Sequence, residues 1–198
     1  MGSDSLRRRK FIQLAASAAS AAAVSCGRST PWRTLTASEA ETAGAICDRI
    51  VPADQDAGAL AAGVVNYIDR QLAGPLKKYR PAYRKGLAGI DSASAARYGK
   101  RFAALAAAEQ DALLAAFEQG QAPAEAGSAA QAKAFFDLIR DHTMQGYYGD
   151  PRHGGNRDYA SWRMLGVSPV PVRGRNLYDL SGEGMVARPG RTKWRSGV

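Results

Sequence analysis

The 198-residue chain has only two cysteines and two histidines, and these scarcities remove several chemistries at once. Cys26 and Cys47 are too few for a disulfide-stapled scaffold or for a zinc centre built on four thiolates. C-x-x-C-H is absent, so the chain attaches no c-type haem. Neither G-x-G-x-x-G after a strand nor G-x-x-x-x-G-K-[ST] occurs, which leaves a nucleotide-binding fold without sequence support. No segment sustains the apolar/polar alternation of a half-buried strand. What is present is 45% apolar residues, enough for one core, and a net charge of +9.

Much of that charge is local. Arg7-Arg8-Arg9-Lys10 precede Phe11-Ile12-Gln13-Leu14 and an Ala/Ser-rich stretch, the layout of an export signal. Its apolar part is about 14 residues, short of the about 20 that cross a bilayer as a helix, so no permanent transmembrane anchor is expected. Arg8, Arg9 and Phe11 fall where the twin-arginine signal has two arginines, any residue, Phe and an aliphatic residue. The alternative is an ordinary secretory signal. Small residues favour cleavage after Ala23 or Ser25. Ala23-Val24-Ser25-Cys26-Gly27 also resembles a bacterial lipobox, with Ala23 where Leu is usual, so Cys26 is either a lipid attachment point or a free thiol. Loss of residues 1–25 leaves a net charge of +6. Export implies a periplasmic protein, membrane-associated if Cys26 carries a lipid, and removes nucleic acid as a partner.

The expected organisation is an export signal over residues 1–25, a linker over 26–35, a helical domain over 36–169 and a basic extended arm over 170–198. Thr36-Ala37-Ser38-Glu39 fits a capping box, followed by Ala40, Ala43, Cys47, Ile50 and Val51 at helical spacing until Pro52. Cys47 therefore reads as core. A second apolar stripe carries Val64, Val65, Ile68 and Leu72 and stops at Gly74-Pro75. From Tyr79 the period runs through Tyr83, Leu87 and Ile90, is expected to break at Asp91-Ser92, and resumes at Tyr98, Phe102 and Leu105. Leu113, Leu114 and Phe117 mark a helix ending near Gly120, and residues 121–128 read as a linker. Ala132, Phe135, Phe136, Ile139 and Thr143 mark a helix up to Gly146. Only residues 159–165 look helical after that. The expectation is an all-α fold, a single compact domain of short amphipathic helices with a long irregular Gly/Pro-rich C-terminal segment. Residues 170–198 carry a net charge of +4 and few large apolar side chains, so they do not fold alone. They are a solvated end or an arm ordered by a partner through Tyr178 and Trp194.

Residues 135–166 hold the most information. Asp150-Pro151 forces an extended or turn geometry, and Gly154-Gly155-Asn156 tolerates positive φ, so backbone here can approach another surface closely. Tyr and Trp around such a turn suit an interface, while a turn packed onto its own helices is the structural alternative. His142 and His153, with Asp141, Asp150 or Asp158, raise the further alternative of a metal site or acid/base pair. No H-E-x-x-H or similar spacing places two ligands on one face, and His142 is expected to hydrogen-bond the turn that follows it.

His142, Thr143, Gly146, Tyr147, Tyr148, Asp150, Pro151, Gly154, Gly155, Asn156 and Trp162 together resemble the hallmark of the gluconate 2-dehydrogenase subunit 3 family, the small subunit of bacterial flavin-dependent sugar and polyol dehydrogenases. That hallmark is a His-Thr pair on a helix, a Gly-aromatic-aromatic turn, Asp-Pro, a tyrosine, Gly-Gly-Asn and a Trp. His153 departs from the tyrosine expected at its position. Asp48-Arg49-Ile50-Val51-Pro52 with Asp54, and Tyr98-Gly99-Lys100-Arg101-Phe102, fit the family's weaker features. The resemblance covers residues 36–169. It implies a chain with no catalytic, cofactor or metal residues of its own, partnered by a large FAD-dependent subunit of the glucose-methanol-choline oxidoreductase type. A c-type cytochrome bearing haem c often accepts the electrons. The small subunit is then an export escort carried by the twin-arginine translocase, and a stabiliser of the large subunit. Its expected contact residues are His142, Tyr147, Tyr148, Asp150, Pro151, His153, Gly154, Gly155, Asn156, Trp162, Tyr178 and Trp194. The alternative is a stand-alone periplasmic helical lipoprotein or binding module.

Overall fold

A computed structural model describes residues 31–167 of the chain. Its α-helices are α1 (Ala37–Ile50), α2 (Val64–Ala73), α3 (Arg80–Tyr98), α4 (Ala107–Glu118), α5 (Ala129–Tyr148) and α6 (Ala160–Met164). Single 3-10 turns at Lys77–Tyr79, Phe102–Ala104, Ala124–Ala126, Pro151–His153 and Arg157–Tyr159 join them, and no strand occurs among the described residues. The all-α expectation holds. Arg8, Arg9, Phe11, Cys26, Tyr178 and Trp194 lie outside the described residues. Among those described, no helix is long and apolar enough to cross a membrane.

Local sequence signals set most boundaries. The Thr36 hydroxyl accepts the Glu39 N–H at 3.1 Å, and the Glu39 carboxylate accepts the Thr36 N–H at 2.8 Å, which opens α1. Pro52 lacks the amide needed to extend that helix, and Gly74 closes α2. Gly99, at φ 70°, ends α3 in the left-handed region. The Ser128 hydroxyl caps α5 through the Gln131 N–H.

The core is assembled from one stripe of each long helix. Ala43, Ile46 and Cys47 of α1 meet Val64 and Ile68 of α2, Leu87 and Ile90 of α3, Leu113 and Phe117 of α4, and Ile139 of α5, all fully or almost fully buried. Phe135 lies flush on Gly86, where any side chain would occupy the position of its ring. Gly89 likewise lets the Ala126 carbonyl approach α3, where an added Cβ would stand 2.7 Å from the oxygen.

Three expectations need correction. The helix expected to break at Asp91-Ser92 runs unbroken to Tyr98, because Asp91 turns its carboxylate sideways instead of competing with its own backbone. It accepts the Thr42 hydroxyl at 3.1 Å, the Phe102 N–H at 3.1 Å and the Arg101 guanidinium at 3.3 Å, stapling α3 to α1 and to the following turn. The linker at 121–128 contains a 3-10 turn that is packed against α3 through Ala126. α5 passes through Gly146 and ends at Tyr148.

Residues 33–35, expected to be linker, are bound. The buried Asp69 carboxylate on α2 accepts the N–H groups of Arg33, Thr34 and Leu35 at 2.7, 2.8 and 3.0 Å, and the Thr34 hydroxyl at 2.8 Å. Burial alone raises the pKa of this carboxyl, but these donors outweigh it together and hold Asp69 below its ordinary value.

Candidate functional site

The hallmark residues gather around the C-terminus of α5, where the last carbonyls of any helix lack intrahelical donors. Here side chains supply them. The Trp162 Nε1–H donates to the Tyr148 carbonyl at 2.9 Å, and the Asn156 Nδ2–H to the Gly149 carbonyl at 2.9 Å. The other end of the Asn156 amide accepts the Ser161 N–H at 2.9 Å, so one fully buried side chain joins the end of α5 to the start of α6. The Asn amide carries its donor and its acceptor on separate atoms, so it serves both groups at once, and Asn tolerates the φ of 44° found here better than most residues.

The glycines serve close approach. Gly155 packs directly on the Gly146 carbonyl, with no room for a Cβ, and a Cβ on Gly146 would stand 2.8 Å from the Tyr67 ring. Gly154 adopts φ 102° with the Arg70 side chain laid across it. Asp150 accepts the Arg152 N–H at 3.0 Å and starts the Pro151–His153 turn, with Pro151 in the first position, where a missing amide costs nothing. The Arg157 N–H then reaches back to the Ala62 carbonyl at 2.9 Å, anchoring the segment before α2.

Three hallmark side chains point into the core. Tyr147 is buried and donates its hydroxyl to the Ala57 carbonyl at 2.7 Å. Thr143 donates to the Ile139 carbonyl at 2.7 Å and lies 3.2 Å from the Cys47 sulfur; with its own hydrogen committed, it accepts the thiol proton. Burial pushes the Cys47 thiol up to about 12, so it stays protonated and unreactive as well as packed. His142 bonds the Tyr83 hydroxyl through Nδ1 at 2.9 Å and meets the Tyr79 ring edge-on at 5.4 Å. Its partner is thus on α3, and the expected bond to the following turn does not form. Burial holds the His142 imidazole below its ordinary pKa, against a smaller upward pull from Asp141. Burial also pushes the Tyr83 hydroxyl well up, so it keeps its proton and pairs with a neutral ring.

The residues expected at a partner interface therefore divide. His142, Tyr147, Gly155 and Asn156 are buried within this chain. Tyr148 and His153 are exposed, Asp150, Pro151, Gly154 and Trp162 are half-buried, and His153 sits on the surface with its Nε2 3.3 Å from the Arg152 guanidinium. His142 and His153 are not brought together: one is locked in the core by Tyr83 and the other sits outside. Among the described residues, no group of three or more His, Cys, Asp or Glu is arranged to hold a metal ion.

Sequence reasoning missed the apolar residues that the turn leaves outside. Met144, Met164, Leu165 and Val167 are exposed beside Tyr148. The signal was partial: Met144 and Tyr148 are an i, i+4 pair and so share one edge of α5, beside the buried edge that carries Thr143 and Tyr147. The Asn156–Tyr159 turn also holds three non-glycine residues at positive φ, Asn156 (44°), Asp158 (55°) and Tyr159 (58°). Each αL residue lacking a compensating bond costs about 1–2 kcal/mol, and no sequence pattern announces it.

Residues 37–169 match the family model described as Gluconate 2-dehydrogenase subunit 3. The chain belongs to that family. The expectation from the hallmark is thereby met, and the family is that of a subunit of a gluconate dehydrogenase complex, which implies partner subunits. Neither a curated protein nor a solved structure matches the chain. This subunit 3 chain spends His142 on the Tyr83 hydroxyl, and Thr143, Tyr147, Asn156 and Trp162 on its own backbone.

Proposed function

We propose that this subunit 3 chain is the non-catalytic small subunit of an exported flavin-dependent dehydrogenase acting on a sugar, sugar acid or polyol. It escorts a large FAD-bearing subunit of the glucose-methanol-choline type through the twin-arginine translocase and stabilises it in the periplasm. A c-type cytochrome carries the electrons onward. The observation that carries the reading is the satisfaction of the hallmark within the chain: His142 is bound to Tyr83 and Asn156 to two backbone groups. Side chains so committed are architectural, and catalysis needs groups aimed at a substrate. The twin-arginine-like Arg8, Arg9 and Phe11 support the escort role, because that route exports folded proteins and this chain has no motif for a cofactor that would require it.

Purification of an internally tagged copy from its native host tests this. The expected result is a larger yellow subunit whose flavin absorbance bleaches with gluconate or a related sugar. A colourless species of this chain alone would refute it. Export of the large subunit is expected to fail when the only small subunit present is the Arg8→Lys, Arg9→Lys form, and normal export would refute the escort role.

A further inference from the structure

Three arginines line one small cleft between the segment that enters α1 and the start of α3. Arg80 and Arg84 stand one turn apart on α3, and Arg33 lines the same cleft from the segment before α1. The volume is about 170 Å³, which fits a phosphate group with room for a short organic stem. Leu72 and Tyr83, both almost fully buried, complete the lining, and a low-dielectric wall of this kind focuses the field of the charges around it. Two parts of the cleft are held in place. The Asp69 carboxylate gathers the N–H groups of Arg33, Thr34 and Leu35, which fixes the backbone that carries Arg33. The Arg80 Nε–H donates to the Leu72 carbonyl at 2.6 Å, which anchors that guanidinium and leaves its terminal nitrogens for another acceptor.

Arginines that serve only the fold of a helical surface are ordinarily paired, and Arg49, Arg101 and Arg140 each hold an aspartate at 2.7, 3.3 and 3.0 Å. Among the described residues, Arg33, Arg80 and Arg84 ion-pair with no carboxylate. Glu39, the acidic side chain in the lining, gives its Oε2 to the Thr36 N–H at 2.8 Å, and the buried Asp69 is spent on its own donors. Three guanidinium charges still exceed those two carboxylates, and the exposed Lys77, Lys78 and Lys85 add to the excess in a stretch, 77–85, that contains no acid. Arg80 and Arg84 are moreover a like-charge i, i+4 pair, which weakens a helix on its own and strengthens it once an anion sits between them. A carboxylate brings two oxygens and one charge. A terminal phosphate brings three acceptor oxygens and about two charges at neutral pH, the better match to three guanidinium forks. We propose that Arg33, Arg80 and Arg84 form a binding site for a terminal phosphate group, carried by a small soluble compound or by a lipid.

Isothermal titration calorimetry of the full chain, in phosphate-free buffer at fixed ionic strength, tests the soluble sources with inorganic phosphate and glycerol 3-phosphate. Co-sedimentation with phosphatidylcholine vesicles carrying phosphatidic acid tests the lipid source. Saturable binding is expected for at least one of these probes, weakened at least tenfold in the Arg33→Gln, Arg84→Gln double variant, which changes exposed positions only and keeps the wild-type melting curve. Arg84→Gln alone serves as a second probe should the double variant melt early. Arg97→Gln removes the same charge from the other end of α3 and is expected to bind as wild type does. Binding of a soluble probe assigns the site to a free phosphate compound, and binding of the vesicles alone assigns it to a lipid. Absence of saturable binding by every probe would overturn the site. So would wild-type affinity in both cleft variants, equal weakening by Arg97→Gln, or acetate binding as tightly as phosphate. Neither flavin nor partner subunit enters the measurement, so its outcome is independent of the small-subunit reading.

Discussion

Asn156→Ala is the substitution that most directly probes the capping reading. The Asn156 side chain is fully buried and makes two bonds of 2.9 Å, to the Gly149 carbonyl and from the Ser161 N–H. Alanine leaves both groups unpaired at about 1–3 kcal/mol each and must adopt a left-handed φ at about 1 kcal/mol more. The summed cost is about 3–7 kcal/mol, a large part of the about 5–15 kcal/mol that holds a domain folded. Because Asn156 ties only the α5 end to α6, the first consequence is local opening of the segment after Gly149 while α1 to α5 persist. Amide hydrogen exchange is therefore the direct assay, with Ser161 and Leu165 expected to lose protection well before Ile139. Two variants divide the effect. Asn156→Gly loses the same bonds without the φ cost, so it should be about 1 kcal/mol milder. Ser161→Ala keeps the bonded N–H and removes a buried hydroxyl with no hydrogen-bond partner, so it should be neutral or slightly stabilising. Unchanged protection at Ser161 in Asn156→Ala, or equal damage from Ser161→Ala, would refute the argument.

Other consequences follow from the same contacts. Cys47 should resist alkylation in the native chain at pH 8 and react once urea exposes it, as read by mass spectrometry of its peptide; rapid native labelling would contradict its burial and raised pKa. The His142 imidazole has a depressed folded pKa, so the unfolded chain binds the proton more readily and stability rises with pH through this window. Stability should therefore be complete above about pH 6.5, fall as pH drops toward the folded value, and lose that slope in His142→Gln, measured as melting temperature against pH. Asp69 behaves with the same sign at lower pH. Asp69→Asn should release residues 33–35, seen as faster exchange of the Arg33, Thr34 and Leu35 amides.

Helix positions were legible where the causes are local. Thr36 and Glu39, Pro52, Gly74 and the stripe through Ala132, Phe135 and Ile139 act within a few residues of themselves, so spacing alone locates them. Partner choice was not legible, because the partners are remote in sequence. His142 finds Tyr83 on α3, Tyr147 finds Ala57, and Asp69 gathers Arg33 to Leu35, each across dozens of residues. The false break at Asp91 has the same origin: a polar residue within a helix is disruptive only if it bonds its own backbone, and which bond it makes depends on Thr42 and Phe102.

The hallmark shows how one stretch of chain can encode two different things. A helix that ends inside a protein must have its last carbonyls satisfied, and the chain must then reverse without clashing with that end. Asn156 and Trp162 meet the first demand, Gly146 and Gly155 the second, and Asp150 with Pro151 starts the reversal. Those residue types are dictated by geometry, which is why they make a recognisable pattern. Met144, Met164, Leu165 and Val167 are exposed among the described residues and fill no core, so the demands of capping and reversal do not dictate them. The pattern that identifies the family thus reports how α5 ends and how the chain turns back over that end.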